Sequence, residues 1–167
     1  MHVRARGTTG ENLEEVYRRG FTRFLRVATA ITADPELGCD AVQSAFTAAL
    51  RHRRDFRGDG TVEAWVWTIV VREARRLATS RARETSLDVA AELPALAANG
   101  NGSDASSVRR YIAALPARQR EAVFLRYFAD LDYKTIARVL ELEPGTVSAT
   151  LSAAHQTLRK RVEATFR

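Results

Sequence analysis

From Glu11 to Thr32 apolar residues return every three or four positions, at Leu13, Val16, Tyr17, Phe21, Phe24, Leu25, Ala28 and Ile31. That spacing predicts a helix with one broad buried stripe, and its acids Glu11, Glu14 and Glu15 suit the positive end. Asp34-Pro35 stops it and starts the next, because Asp accepts the free amides of a first turn and Pro lacks one. Leu37, Ala41, Val42, Ala45, Phe46, Ala49 and Leu50 then repeat at close to 3.5 residues, so the two helices are expected to pack as an antiparallel pair.

A polar stretch follows, Arg51-His52-Arg53-Arg54 and then Asp55-Phe56-Arg57-Gly58-Asp59-Gly60, whose glycines permit a sharp, exposed path. Thr61 is placed to cap a third helix with Val62, Trp65, Val66, Ile69, Val70 and Leu77 on its inner face. Its outer face is read as Trp67, Val71, Arg72, Arg75 and Arg76, extended by Arg81 and Arg83. Aromatic and basic groups mixed on one face beside a loop suit single-stranded nucleic acid through stacking and phosphate contact. The alternative is that Trp67 packs against a neighbouring helix and the arginines are solvated.

Between Thr85 and Ser107 the pattern lapses into small and polar residues with three acids and no base, which predicts a flexible linker with a short helical piece at Val89 to Leu96. Periodicity resumes after a cap at Ser103 or Asp104 with Val108, Tyr111, Ile112 and Leu115, and Pro116 ends that helix. Ala117 to Phe128 forms another, with Val123, Phe124, Tyr127 and Phe128 inward and Arg118, Arg120 and Arg126 outward.

The last stretch, Asp132 to Val162, reads as two helices and a tight turn. Ile136, Ala137 and Leu140 line the first, Glu141-Leu142-Glu143 turns, and Pro144 opens a second helix of about eighteen residues buried along Val147, Leu151, Ala154, Leu158 and Val162. This is the arrangement of a helix-turn-helix DNA reader, whose second helix would offer Ser148, Ala149, Ser152 and His155 to base edges in the major groove. An ordinary helical hairpin has the same pattern.

The fold expected is all-α. Residues 1–10 form a disordered N-terminus, 11–85 a helical domain, 86–104 a linker, and 105–167 a four-helix domain with helix-turn-helix. Composition adds a direction: the net charge is +6, and 24 of 26 basic residues are Arg, the side chain suited to bidentate phosphate and carboxylate recognition. Apolar runs are too short to cross a membrane and the N-terminus lacks a signal-peptide core, so a cytoplasmic protein without membrane insertion is expected. Cys39 stands alone and His2, His52 and His155 are far apart, which leaves no internal disulfide and no metal-ligand set. Paired acid and His, a nucleophile motif and a phosphate-cradling glycine loop are all missing from the pattern, so neither catalysis nor a cofactor is expected.

Together, DPELGCDAVQSAF, FRGDGTVEAWVWTIVVREARR, the acidic linker and LPARQREAVFLRYFADLDYKTIARVL followed by PGTV resemble the small two-domain extracytoplasmic-function sigma factors of bacterial RNA polymerase. The resemblance covers residues 11–84 and 105–163. It implies a protein that binds core polymerase and directs promoter recognition and opening, with no covalent chemistry of its own. Asp40, Val42, Gln43 and Phe46 would dock on the polymerase. Phe56, Arg57 and Asp59 would belong to a loop capturing a flipped base of the minus-ten element, helped by Trp65, Arg72, Arg75 and Arg76. Lys134, Thr146, Ser148, Ala149, Thr150, Ser152 and His155 would meet the minus-thirty-five duplex. The linker makes it geometrically possible for an anti-sigma factor to clamp both domains.

The chain departs from the family pattern where function lies. Ser44 follows Gln43 where an acid is usual, and Arg72 replaces a common Asn. Ser148, Thr150, Ala153 and His155 stand where the reading helix usually carries bases. Each lost phosphate contact removes about 0.9 from the log–log salt slope, so three or four cost orders of magnitude in affinity at low salt. Glu141 stands where glycine is common, and a positive φ there would cost about 1 kcal/mol. A second reading follows: a sigma-like interaction module or helix-turn-helix regulator with weakened duplex contacts.

Overall fold

The computed structural model describes residues 8–85 and 110–165, which consist of helices and their connections with no strand among them. In chain order they form α1 (Gly10–Thr32), α2 (Pro35–Arg51), a 3-10 turn (Arg53–Asp55) and α3 (Val62–Thr85), then a helical turn over 110–113, α4 (Ala117–Tyr127), α5 (Tyr133–Leu140) and α6 (Pro144–Thr165). The expected linker at 86–104 and its helical piece at Val89 to Leu96 lie outside the described residues. So do residues 1–7. Expected disorder through residue 10 is corrected: Thr8 donates its amide to the Arg53 carbonyl at 2.8 Å, and Thr9 caps α1 by accepting from the Asn12 amide at 3.2 Å.

Local chemistry sets the boundaries. α1 ends at Ala33, which takes a left-handed φ of 57° and returns its amide to the Thr29 carbonyl. Asp34 Oδ1 then accepts from the Glu36 and Leu37 amides at 2.8 and 3.2 Å, with Pro35 at the first helical position. Thr61 caps α3 through the Ala64 amide at 3.1 Å.

α1 and α2 approach to backbone contact at Gly38. A Cβ there would sit 2.5 Å from Thr29 Oγ1 and 2.9 Å from Thr29 N, so only hydrogen fits. The core between α1, α2 and α3 contains Phe24, Val27, Ala28, Ala41, Val42, Ala45, Val66 and Val70, each fully buried. An aromatic chain crosses it, from Tyr17 to Phe46 edge-on at 4.9 Å, Phe46 to Phe24 at 5.3 Å and Phe24 to Trp67 at 4.3 Å.

Trp67 and Val71 correct the expected outer face of α3. Both are sealed, at 0% and 1% exposure, and the packing alternative for Trp67 is the observed one. The helix is covered on more than one side: α1 and α2 pack against it, and so does α5 from the C-terminal part of the chain. Periodicity shows which residues share a face, but not how many faces are covered.

The C-terminal helices close around Leu125, Ile136, Val139, Val147, Leu151 and Ala154. Asp132 caps α5 by accepting from the Thr135 amide at 2.7 Å. These bonds to Thr135, side-chain and backbone, hold the Asp132 carboxyl below its ordinary pKa. Glu141 ends α5 with φ 56° and ψ 48°, the left-handed conformation anticipated where glycine is common. α6 runs 22 residues, longer than expected, and its apolar stripe fades towards the end: Leu158 is half-buried and Val162 exposed. Tyr127, expected inward, is 57% exposed, because α4 ends there and turns its last residue to the surface.

Candidate nucleic-acid interface

The loop after α2 carries the first group of candidates. Phe56 is half-buried and leans on Trp65 with ring centroids 5.6 Å apart. Arg57 is exposed just before Gly58, and Asp59 is exposed between Gly58 and Gly60, whose φ values of 73° and 135° favour glycine at both positions. Gly60 has a second constraint, since a side chain there would run into the Arg138 guanidinium of α5. The aromatic pair and the polar loop thus form one continuous ledge at the start of α3, suited to stacking an unpaired base.

Along α3 the arginines separate. Arg72 is exposed, and Arg76 is exposed with Nε on Glu73 Oε2 at 2.9 Å. Arg75 is not a free surface cation, which corrects its assignment to an open basic face. Its Nε and Nη2 donate to the two carboxylate oxygens of Glu121 on α4, at 3.1 and 2.7 Å. That bidentate bond raises the Arg75 pKa against an opposing effect of burial. Two of its N–H groups, on Nε and Nη2, are therefore engaged by Glu121.

α6 carries the third group of candidates. Thr146, Ser148, Ala149, Ser152 and His155 are all exposed on α6, as is Lys134 on α5. Thr150 is half-buried and directs its hydroxyl to the Thr146 carbonyl at 2.7 Å, so its donor is engaged within the helix. His155 Nε2 meets the Tyr127 hydroxyl at 2.9 Å. The outward face holds small and hydroxylic groups until Arg159-Lys160-Arg161, so it can offer hydrogen bonds and close approach to base edges but little charge for phosphate.

On α2, Asp40 and Gln43 are exposed, one turn apart on the same face. Val42 and Phe46 are corrections: at 0% and 7% exposure they belong to the core and not to an exposed docking face. Residues that the sequence pattern does not single out include Arg23, Glu121 and Arg138, whose side chains cross between helices. Arg120, expected outward, is half-buried and donates to the carbonyls of Ala30, Ala113 and Leu115. Burial lowers its pKa from the usual value. A signal existed for Glu121, the sole acid between Ala117 and Phe128 and followed directly by Ala122-Val123-Phe124-Leu125. Among the described residues no group of His, Cys, Asp and Glu is arranged to hold a metal, and no helix is long and apolar enough to cross a membrane.

Two family models match, Sigma-70 region 2 over residues 10–84 and Sigma-70, region 4 over residues 105–158, together most of the chain. The chain belongs to the extracytoplasmic-function sigma factors. The RNA polymerase sigma-H factor of Pseudomonas aeruginosa is 27% identical over 161 residues, covering 87% of this chain and 83% of that one. The ECF RNA polymerase sigma-E factor of Escherichia coli is 29% identical over 143 residues, covering 77% and 75%. Among solved structures, the sigma factor RpoE of Bartonella quintana, crystallised with the anti-sigma factor NepR, superposes with a TM-score of 0.74 at 23% identity over 90% of this chain and 98% of that one. CnrH in complex with the cytosolic domain of CnrY gives 0.70 at 20% identity over 93% and 90%. Those two likenesses show the all-α fold. The protein is thus a DNA-binding RNA polymerase sigma factor of transcription initiation, and its helix-turn-helix lies within the region 4 match.

Proposed function

We propose that this sigma factor divides its work as its helices are grouped. The first domain, 11–85, holds core polymerase through the Asp40 and Gln43 face of α2 and takes an unpaired minus-ten base on the ledge of Phe56, Arg57, Asp59 and Trp65, with Arg72 and Arg76 on the phosphates. The second domain, 105–167, reads the minus-thirty-five duplex with α6. Phosphodiester synthesis stays with the polymerase, and the sigma factor acts in the cytoplasm with no covalent chemistry of its own.

The observation that carries this reading is the ledge itself: an aromatic pair at 5.6 Å beside a loop with two positive-φ glycines, continuous with exposed Arg72 and Arg76. A repressor or activator that binds only duplex has no use for such a ledge. Run-off transcription by core polymerase from the protein's own upstream region tests it: added sigma factor is expected to yield promoter-dependent transcripts, and failure to bind core defeats the proposal.

One observation favours a second reading. The outward face of α6 lacks cations through its first four turns, which suits a sigma-like module that acts mainly through protein contacts. Core binding without promoter-dependent transcripts would select it. The RpoE and CnrH structures each hold a protein partner, the anti-sigma factor NepR and the cytosolic domain of CnrY, and a comparable anti-sigma partner is proposed here.

A further inference from the structure

The end of α4 brings a tyrosine to the outward face of α6. The exposed Tyr127 ring lies 5.8 Å from the His155 imidazole, tilted by 51°, and its hydroxyl meets Nε2 at 2.9 Å. Both sides of this contact are held. Phe128, the next residue, stacks on Phe124 at 4.6 Å, and the amides of Phe128 and Ala129 both return to the Phe124 carbonyl, at 2.9 and 3.0 Å. Arg126 donates to the Leu131 carbonyl at 3.1 Å across the connection to α5. On α6, Leu151 and Ala154 are sealed in the core beside His155. An exposed tyrosine is thus fixed against an exposed histidine, and among the described residues no hydrogen bond engages His155 Nδ1.

The contact decides what Nδ1 can offer. A neutral imidazole has one N–H and one bare nitrogen, and the bond made at one nitrogen sets the role of the other. The phenolic O–H is a strong donor and the bare ring nitrogen a better acceptor than the phenol oxygen, so Tyr127 donates to Nε2 and the ring proton sits on Nδ1. A second ring proton, on Nε2, would bond to the tyrosine oxygen and leave Nδ1 a donor still. His155 stands on the same side of α6 as Ser148, seven residues on, about 10 Å along the axis or the rise of about three base pairs. It presents one N–H in line with the hydroxyl groups of Ser148 and Ser152, on a face without a cation before Arg159. In the major groove guanine sets two acceptors side by side, N7 and O6. Adenine places a donor beside its N7, thymine a methyl beside its O4, and cytosine offers a donor. A lone N–H is best matched by guanine.

We propose that Tyr127 is a positioning residue for promoter readout: it fixes His155 as the Nδ1–H tautomer, and His155 in that form selects guanine at one base pair of the minus-thirty-five duplex. The inference rests on the reading of α6 as the helix that meets this duplex. Base choice is then set from α4, outside the two helices of the helix-turn-helix, and it depends on the direction of one hydrogen bond instead of on charge. Without the tyrosine the imidazole is free to turn and to exchange its proton between nitrogens, so the same histidine would offer a donor or an acceptor and discriminate poorly.

The test uses core polymerase loaded with the full chain and labelled duplexes from the protein's own upstream region. Each G·C pair of the minus-thirty-five segment is replaced in turn by A·T, which sets a donor in place of O6, and by inosine·C, which alters only the minor groove. At one pair the A·T replacement is expected to lower affinity about threefold to tenfold, the size of one hydrogen bond, while inosine leaves it unchanged. Tyr127→Phe and His155→Ala are each expected to abolish that preference and to bind the A·T duplex as wild type does. The imidazole nitrogen resonances of the isotope-labelled full chain give a second readout, with His155→Ala identifying the signals and circular dichroism checking each fold. Wild type is expected to show His155 with its proton on Nδ1, and Tyr127→Phe a mixture of tautomers. The proposal is overturned by a wild-type His155 with its lone proton on Nε2, by a Tyr127→Phe variant that keeps the full preference, or by the lack of any such guanine in the segment. Failure of the sigma-factor reading is seen separately, as wild-type protein that neither binds core polymerase nor supports run-off transcription.

Discussion

The Tyr127 hydroxyl and His155 Nε2 stand 2.9 Å apart, joining the end of α4 to the outward face of α6. The bond fixes which way the imidazole points and leaves Nδ1 directed elsewhere. Tyr127→Phe keeps the ring and removes the tether. Both residues are exposed, so the melting midpoint is expected to move by less than about 3 °C. Binding to a minus-thirty-five duplex is expected to weaken about threefold to tenfold, the size of one hydrogen bond. Equal affinity for wild type and variant would remove His155 from the reading face.

Cations added to α6 should act in the opposite direction. Ser152 is exposed on that face with no base nearby on the helix until Arg159. Ser152→Arg is expected to steepen the log–log salt dependence of duplex binding by about 0.9 for one new phosphate contact, with tighter binding at low salt. A slope unchanged across a salt titration would mean that this face does not lie along DNA.

Gly38 allows α1 and α2 to touch. Gly38→Ala would force a methyl against both the Thr29 hydroxyl and the Thr29 backbone. A loss of about 1 to 3 kcal/mol is expected, read as a lower urea midpoint at constant slope. The helix-turn-helix, remote from this crossing, should retain its duplex affinity.

Glu141 holds a left-handed conformation with φ 56°. Glu141→Gly relieves the Cβ contact and is expected to stabilise the C-terminal helices by about 1 kcal/mol, net of the extra freedom glycine has when unfolded. Chemical denaturation followed by helical signal would show it, and a destabilised variant would mean that Glu141 serves the fold through its charge.

Acid should loosen the same motif at its other end. The Asp132 carboxyl is held below its ordinary value by the bonds to Thr135. Its contribution is therefore complete above the unfolded value of 3.8 and is lost as pH falls through the lower folded value. Asp132→Ala is expected to cost about 1 kcal/mol near neutrality, as N-cap losses do, and to cost little at pH 2. A penalty that persisted at pH 2 would place the role of Asp132 outside its charge.

Much of this architecture was legible because its determinants are local. Asp34, Thr61 and Asp132 each satisfy amides two or three residues ahead, and the strained φ at Glu141 follows from a turn too tight for an ordinary helix end. The differences on α3 and at the arginines share one cause. The period places Trp67, Val71, Arg75 and Arg120 on outer faces and Tyr127 inward, while it sets Val42 and Phe46 in the buried stripe, from which only the family resemblance draws them to a docking face. For the arginines the deciding neighbour is remote: Glu121 is 46 residues from Arg75, and Ala30 is 90 from Arg120. A helical period sorts residues around a cylinder but leaves open which sectors another helix will cover.

The chain has two tryptophans, and the fold gives them opposite surroundings. Trp67 is sealed at 0% exposure against Phe24, while Trp65, two residues earlier, is half-buried beside Phe56 on the ledge. Two indoles so close in sequence thus divide into a dry one and a wet one. Iodide should quench only the second, and a base stacked on the ledge should change the second alone. The sigma factor therefore carries a probe at the mouth of its candidate strand-binding surface and, within the same helix, an unchanging reference for it.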